Sequence, residues 1–212
     1  MIKILRATTI TASALLLLAA APASADIIVN GGFEDPQLRS GSWALFCTIP
    51  GWNFVGGEGC EVSGQIEIQN NVAGTPYEGN QFAELDSTRP TTLYQNVATE
   101  AGENYVLSFA FAARPGTNIL SDNVMSVTWG GSEIFNLPAP NFTPDWTVFT
   151  LYVTASSNST RLTFGDDSSN SWNSYGVYLD DVRLVAKVPE PSTLGLLGLG
   201  LLGLGLSRRR RS

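Results

Sequence analysis

The chain contains no histidine and only two cysteines, and the absence of histidine excludes several kinds of chemistry. Ser-His-Asp and Cys-His catalytic groups cannot form without histidine, and neither can the usual zinc hydrolase site. The sequence also lacks a Gly-x-Ser-x-Gly turn and a Gly-x-x-x-x-Gly-Lys phosphate loop. Paired carboxylates are the catalytic option that remains.

One such pair stands out. Glu84 and Asp86 are two residues apart on a predicted strand, so both would face the same way at about 7 Å, as in inverting glycosidases. Any strand with a wet face carries pairs of this kind, and a glycosidase normally takes its two carboxylates from separate elements across a cleft. We therefore predict that the protein is not an enzyme.

The N-terminal segment is typical of an export signal. A basic start and an apolar run precede Ala23-Ser24-Ala25, which supplies the small residues that signal peptidase requires. Residues 1–25 are therefore predicted to be a cleaved signal peptide, and the mature chain to begin near Asp26.

The C-terminal segment has three parts: Pro189-Glu190-Pro191, a stretch of only Leu and Gly from Leu194 to Leu206, and four arginines from Arg208 to Arg211. Arginines resist translocation, so the end of the chain should stay in the cytoplasm. The apolar stretch spans only about 20 Å as a helix, against about 30 Å of hydrocarbon. An ordinary tail anchor would usually be longer and would need no Pro-Glu-Pro.

This arrangement resembles the PEP-CTERM sorting signal of exosortase substrates in Gram-negative bacteria. The resemblance covers residues 189–212 and implies a transmembrane segment at about 192–207. It also implies an exosortase-type enzyme as a partner, a transient stay in the inner membrane, and final residence at the cell surface or in the extracellular matrix of biofilms.

Residues 26–188 form one predicted domain, which is long enough to bury a sizeable core. This part of the chain has eighteen acidic and six basic residues, a net charge of −12. Such a surface repels phosphate backbones, so nucleic acid is not expected as a partner. Neutral glycans and divalent cations remain possible ligands.

The two cysteines, Cys47 and Cys60, lie close together in the mature part. In an oxidising compartment this spacing predicts one disulfide around a loop of fourteen residues. The crosslink would contribute about 3 kcal/mol in the chain-entropy model. Two thiols without histidine rarely complete a zinc site.

The mature part shows no convincing amphipathic helix and many short runs that alternate with period two. In one of them, Gln65 to Gln69, the isoleucines should point inward from a half-buried strand. The other clear runs are residues 105–112, 146–155, 161–164 and 175–185. We predict an all-β jelly-roll β-sandwich.

Four landmarks appear in order along this domain: Asn30-Gly31-Gly32-Phe33-Glu34, Gly51-Trp52, Gln95 to Phe109, and Leu179-Asp180-Asp181-Val182. Together they resemble the galactose-binding-like jelly rolls. That group includes many non-catalytic carbohydrate-binding modules and the choice-of-anchor domains of sorted bacterial proteins.

Asp180 is the strongest candidate for a metal ligand. It is in phase with Val182 and Leu184 on the predicted last strand, so its carboxylate should face the apolar side, where a lone anion is costly. The resemblance implies a structural calcium between Glu34 and Asp180, with the Gly32 carbonyl as a further oxygen ligand. The alternative is that Asp180 or its neighbour Asp181 pairs with Arg183 or caps a turn.

A sugar-binding surface would need aromatic rings outside the core. Trp172 and Tyr175 lie in the polar stretch 166–175, where a ring can stack on a pyranose while Asn and Asp bind its hydroxyls. The alternative is that Trp172 folds back over the end of the sandwich. Tyr77 and Tyr94 are lesser candidates, and the tryptophans expected in the core are Trp52, Trp129 and Trp146.

These features predict an exported, sorted, non-catalytic domain that binds extracellular polysaccharide. One rival is a structural spacer or an adhesin that binds protein, which would lack exposed rings at the end of the sandwich. The other rival is a glycan-active hydrolase, which would need converging carboxylates in a cleft.

Overall fold

The computed structural model describes residues 25–55, 66–88, 90–117, 123–139, 145–167 and 174–187. All of them fall within the compact unit Ser24–Val188. In these ranges no helix is long and apolar enough to span a membrane. The predicted signal peptide, apart from its last residue, and the predicted C-terminal span at about 192–207 lie outside the described residues.

The described fold consists of β-strands joined by turns and loops. In chain order the strands are β1 Ser42–Phe46, β2 Thr48–Ile49, β3 Trp52–Phe54, β4 Ile66–Asn70, β5 Phe82–Glu84, β6 Thr92–Ala98, β7 Asn104–Ala112, β8 Val124–Trp129, β9 Ser132–Pro138, β10 Thr147–Thr154, β11 Ser159–Asp166 and β12 Tyr178–Ala186. The first sheet has the order β1-β4-β5-β12-β7-β10, and the second has the order β2-β3-β6-β11-β8-β9. All paired strands are antiparallel. The predicted all-β jelly-roll sandwich is confirmed.

The core lies between the two sheets and follows the period of two. In β7 the side chains of Leu107, Phe109 and Phe111 are fully buried and face the second sheet. The ring of Phe109 lies 5.1 Å from that of Phe164 in β11 and 5.4 Å from that of Phe135 in β9. Burial of these rings is the main stabilising contribution that the alternating pattern encodes.

The prediction of a half-buried strand at residues 65–69 was wrong in one respect. The isoleucines of β4 point into the core as expected, but Glu67 and Gln69 on the opposite face are buried too. That opposite face of the first sheet, turned away from the core, is called the outer face below.

The loop between β4 and β5, residues 71–81, covers part of the outer face. Phe82, Tyr178 and Ala112 form a small second apolar cluster there, with Trp146 packed against it. The Tyr178 hydroxyl donates to the carbonyl of Ala73 at 2.9 Å, and the Trp146 indole N–H donates to that of Thr75 at 2.9 Å. The two hydrogen bonds hold this loop on the sheet and keep water from the strands beneath it.

The last strand contains a β-bulge at Asp181, whose φ is 47°. The extra residue reverses the phase of the strand, because side chains alternate between faces. Val182 and Leu184 point into the core, whereas Asp180 lies opposite Ala110 of β7 on the outer face. The expectation that Asp180 is in phase with Val182 and Leu184 is therefore corrected.

Candidate functional site

The opening loop, Asn30 to Glu34, lies directly against this bulge. The Val182 N–H donates to the carbonyl of Gly31 at 3.0 Å, and a Cβ at Gly31 would come within 2.0 Å of the Val182 oxygen. Only glycine permits such an approach. The Trp52 indole N–H donates to the carbonyl of Asn30 at 3.0 Å and fixes the loop from the core side.

The carboxylates of Glu78 and Asp180 and the side-chain carbon of Glu34 lie around Gly32. A Cβ at Gly32 would lie 2.9 Å from Glu78 Oε2, 4.0 Å from Asp180 Oδ1 and 4.0 Å from Glu34 Cγ. The structure thus places Glu34, Asp180 and Gly32 near one another. Glu78 was missed, because nothing local in the sequence indicates that its loop folds back onto the first sheet.

Asp180 is fully buried, and backbone amides surround its carboxylate. Oδ2 accepts from the N–H groups of Tyr77 and Glu78 at 2.8 and 3.0 Å, and Oδ1 accepts from that of Asp181 at 2.7 Å. Burial raises the pKa of Asp180 to about 7, and the three amides offset only part of the increase. The carboxylate is therefore poised to take up a proton or a cation near neutral pH.

The other groups of this cluster bear on whether calcium fits. Glu34 Oε1 accepts from the Gln81 N–H at 2.9 Å. Arg183 pairs with Asp181 at 2.6 Å and not with Asp180, whereas Asp180 accepts from the backbone N–H groups of the bend at Tyr77 and Glu78. Within the described part of the chain, no set of three or more His, Cys, Asp or Glu side chains is already arranged to hold a metal. The donors suit calcium in chemistry and charge, while backbone amides occupy some of their oxygens.

A second polar cluster lies buried on the outer face. Gln69 Nε2 donates to Glu67 Oε1 at 3.0 Å and also to Glu84, which stands opposite Glu67 across β4 and β5. Arg114 forms an ion pair with Glu84 and donates to the carbonyl of Ser174 at 2.9 Å. These contacts tie β4, β5 and Arg114, which follows β7, to the segment that precedes β12.

Glu84 and Asp86 do not form a solvent-accessible pair of carboxylates. Burial, and then the neighbouring Glu67, raise the pKa of Glu84, and Arg114 offsets only part of the increase. β5 ends at Glu84, so Asp86 does not lie on the strand as predicted. Asp86 is fully buried, both of its carboxylate oxygens lack a hydrogen bond in the described structure, and burial raises its pKa to about 6. Neither side chain is exposed to a substrate.

Of the two main sugar-stacking candidates, Trp172 and Tyr175, the structure describes Tyr175, which is 42% exposed. The Arg114 guanidinium lies 4.7 Å from its ring centroid, which orients the ring over the buried cluster. Trp172 lies outside the described residues. Of the lesser candidates, Tyr77 is exposed next to Trp146, and Tyr94 is half-buried under Arg161.

Trp43 was missed by sequence reasoning. It lies in β1 at the edge of the first sheet, opposite Gln69, so it shares the outer face with the buried cluster. Its side chain is 54% exposed and makes no hydrogen bond or ring contact with the described residues. Trp52 and Trp129 are buried as predicted, and Trp146 is half-buried. A strand tryptophan usually belongs to the core, so the sequence offered no clear signal for Trp43.

The predicted disulfide and the sorting signal fall partly or wholly outside the described residues. Cys47 is not a free thiol, whereas Cys60 lies outside the described part. Residues 187–211 match the family model described as the PEP-CTERM protein-sorting motif. The chain carries a PEP-CTERM sorting motif. Pro189, Glu190, Pro191 and the arginines up to Arg211 all lie within the matched range.

No curated protein matches this chain. Among solved structures, a family 35 carbohydrate-binding module from an environmental isolate is 16% identical, with a TM-score of 0.45 over 59% of this chain and 86% of that one. A family 35 module from Clostridium thermocellum is 12% identical, with a TM-score of 0.40 over 55% and 86%. A family 16 carbohydrate-binding module is 20% identical, with a TM-score of 0.42 over 75% and 99%.

Proposed function

We propose that the chain is exported, sorted through its PEP-CTERM motif, and displays a non-catalytic β-sandwich that binds polysaccharide. The motif supports the export and sorting. The observation that carries the binding function is the exposure of two aromatic rings, Trp43 and Tyr175, on the outer face of the first sheet. Aromatic faces of this kind stack on pyranose rings.

The cluster between these rings would hold them in place. Gln69, the cross-strand neighbour of Trp43, is hydrogen-bonded to Glu84, and Glu84 is paired with the Arg114 that supports Tyr175. A rigid base lowers the entropy lost when a sugar binds. Because the domain carries a net charge of −12, neutral or weakly acidic glycans are the expected ligands.

The first prediction concerns glycan binding. In affinity electrophoresis against the exopolysaccharide of the host cell, the exported protein should be retarded, and Trp43→Ala should be retarded less. One ring contributes on the order of 1 kcal/mol, so a single site should bind in roughly the millimolar to high micromolar range. Many copies on one surface would add avidity. Leu137→Ala, an exposed apolar change on the second sheet, is the matched control.

The outcomes separate the rival functions. Equal retardation of Trp43→Ala and wild type would place the site elsewhere, and Trp172→Ala then tests the predicted polar stretch. Unretarded wild type on every glycan would favour the spacer or adhesin. Release of reducing sugar that disappears in Glu84→Gln would establish a glycan-active hydrolase.

A structural calcium is part of the proposal. Glu34, Asp180 and the Gly32 carbonyl would hold it, and Glu78, whose carboxylate lies beside Gly32, adds a fourth oxygen donor. The side chains of Glu34, Glu78 and Asp180 all lie near Gly32, and none of them forms an ion pair in the described structure, which supports this assignment. A bound cation would supply the charge that this cluster lacks.

The second prediction is that calcium raises the melting temperature of the protein. At free calcium about a hundredfold above its dissociation constant, the gain is near 2.7 kcal/mol, a shift of several degrees. The gain should grow as the pH rises through about 7, because calcium competes with the proton on Asp180. Asp180→Asn should abolish it, whereas Asp181→Asn, which removes only the partner of Arg183, should keep it. A melting curve that a chelator leaves unmoved would contradict the site.

The proposal extends to the compartment and to the disulfide. Processing by an exosortase-type enzyme at the inner membrane of a Gram-negative bacterium would deliver the domain to the cell surface or to the extracellular matrix of a biofilm. In that oxidising environment Cys47 would pair with Cys60. The state of Cys47, which is not a free thiol, supports this pairing.

A further inference from the structure

Strand β10, Thr147–Thr154, forms one edge of the first sheet and pairs only with β7 among the described strands. Its eight residues contain no charge, no proline and no glycine. The outer edge of β10 makes no backbone hydrogen bond to any described residue. An edge of this kind presents unpaired N–H and C=O groups to another strand.

The other three sheet edges carry features that discourage such pairing. β2 has only two residues, and β1 has five. β9 contains Glu133 and ends with Pro138, and the β8 strand beside it is irregular between Val127 and Thr128. Short strands, charges, prolines and bulges are the usual means of protecting an edge. β10 has none of them.

The side chains of β10 also remain incompletely covered. On the outer face Val148 is 46% exposed and Tyr152 is 73% exposed. On the inner face Phe149 and Leu151 pack against the core but are only partly buried. A strand added at this edge would cover both pairs.

We infer that β10 pairs antiparallel with β10 of a second copy of this chain. Opposed residues in antiparallel strands lie on the same face, so the inner faces match only in every second register. A two-fold axis at Thr150 places Tyr152 opposite Val148 of the other copy, and Phe149 opposite Leu151. Aromatic and aliphatic cross-strand pairs of this kind are stabilising, and the contact closes as a dimer.

Charge favours a second copy at this edge. Two domains of net charge −12 repel each other over most of their surfaces, whereas β10 brings no charge into the contact. Lys187, the only lysine between residues 26 and 188, lies 5.2 Å from the ring of Tyr152. Its positive charge beside the edge lowers the repulsion further.

Sedimentation velocity of the exported chain over a concentration series tests this inference. Wild type should form a dimer that strengthens as salt rises, since salt screens the repulsion between acidic copies. Thr150→Glu opposes two carboxylates at the axis and should weaken the dimer by at least about tenfold. Thr150→Lys should do the same. An equal mixture of the two variants should restore association, because each glutamate then faces a lysine.

Leu137→Glu adds the same charge at the edge of the second sheet, and this variant should dimerise as strongly as wild type. All variants have the same terminal segments as wild type, so any difference between them reports β10 itself, and equal melting temperatures verify their folds. The inference is overturned if wild type remains monomeric up to its solubility limit. It is also overturned if Thr150→Glu dimerises as wild type does, or if the mixture stays dissociated.

Discussion

Arg114→Met is expected to lower the free energy of unfolding by about 3–5 kcal/mol at pH 10, because it leaves the buried carboxylate of Glu84 without its cation. Glu84 is fully buried, and Arg114 is its only ion-pair partner in the described structure. Two donors to Glu84 would remain: the Gln69 side-chain amide, and the Gly176 N–H at 3.1 Å. Two neutral donors do not replace a cation in a water-excluded site.

The loss should depend on pH. Burial already raises the pKa of Glu84, and removal of Arg114 raises it further. In the variant, stability is fully present below the pKa of an unfolded glutamate and is lost as the pH rises through the folded pKa. Denaturant unfolding at pH 6 and pH 10 should therefore show a smaller deficit at pH 6, because the pKa of Glu84 in the wild type is about 8 and the two proteins differ in charge only above it.

Two further variants check the cause. Glu84→Gln in the Arg114→Met background should recover most of the stability at pH 10, because it removes the uncompensated charge. Arg161→Met is the matched control, since Arg161 is exposed and lies 4.2 Å from the ring of Tyr94. Its loss should be below about 1 kcal/mol. A deficit that is equal at both pH values would show that packing, and not charge, is what Arg114 contributes.

The sandwich could be predicted because its strands obey a local rule. In β7, Leu107, Phe109 and Phe111 alternate with smaller residues, and burial against the second sheet follows directly from that period. The opening motif was also a usable landmark for the fold, since Gly31 approaches Val182 at a distance that only glycine allows. Both features depend on residues that are close in sequence or on a backbone requirement at one position.

The parts that could not be predicted depend on contacts between distant segments. One inserted residue at Asp181 moves Asp180 to the other face, and no periodic pattern reveals such a bulge in advance. Glu67 and Gln69 are buried because of cover over the sheet, which their own alternation cannot show. Trp43 is exposed because β1 happens to be the edge strand.

The candidate calcium site is connected to the core through Trp52. Its ring is fully buried, stacks on Phe33 at 5.5 Å and meets the edge of Phe164 at 6.1 Å. Through its indole N–H it also holds the carbonyl of Asn30 in the loop that carries Glu34. A core side chain therefore positions a proposed calcium ligand, and damage to one should be felt at the other.

Trp52→Ala is accordingly expected to lower the free energy of unfolding by about 3–5 kcal/mol, since it removes a large buried ring and leaves a cavity. Trp43→Ala makes the same chemical change at an exposed edge position and should cost only about 0.5 kcal/mol. Denaturant unfolding of both variants, with and without calcium, measures the difference.

The milder Trp52→Phe separates packing from loop positioning. It keeps a ring between Phe33 and Phe164 but loses the hydrogen bond to Asn30, so it should cost about 1–2 kcal/mol. Because that bond fixes the opening loop, the calcium-dependent gain in this variant should shrink by more than it does in Trp43→Ala. If Trp52→Phe keeps the full calcium response, the loop is positioned by the contact of Gly31 with Val182 alone.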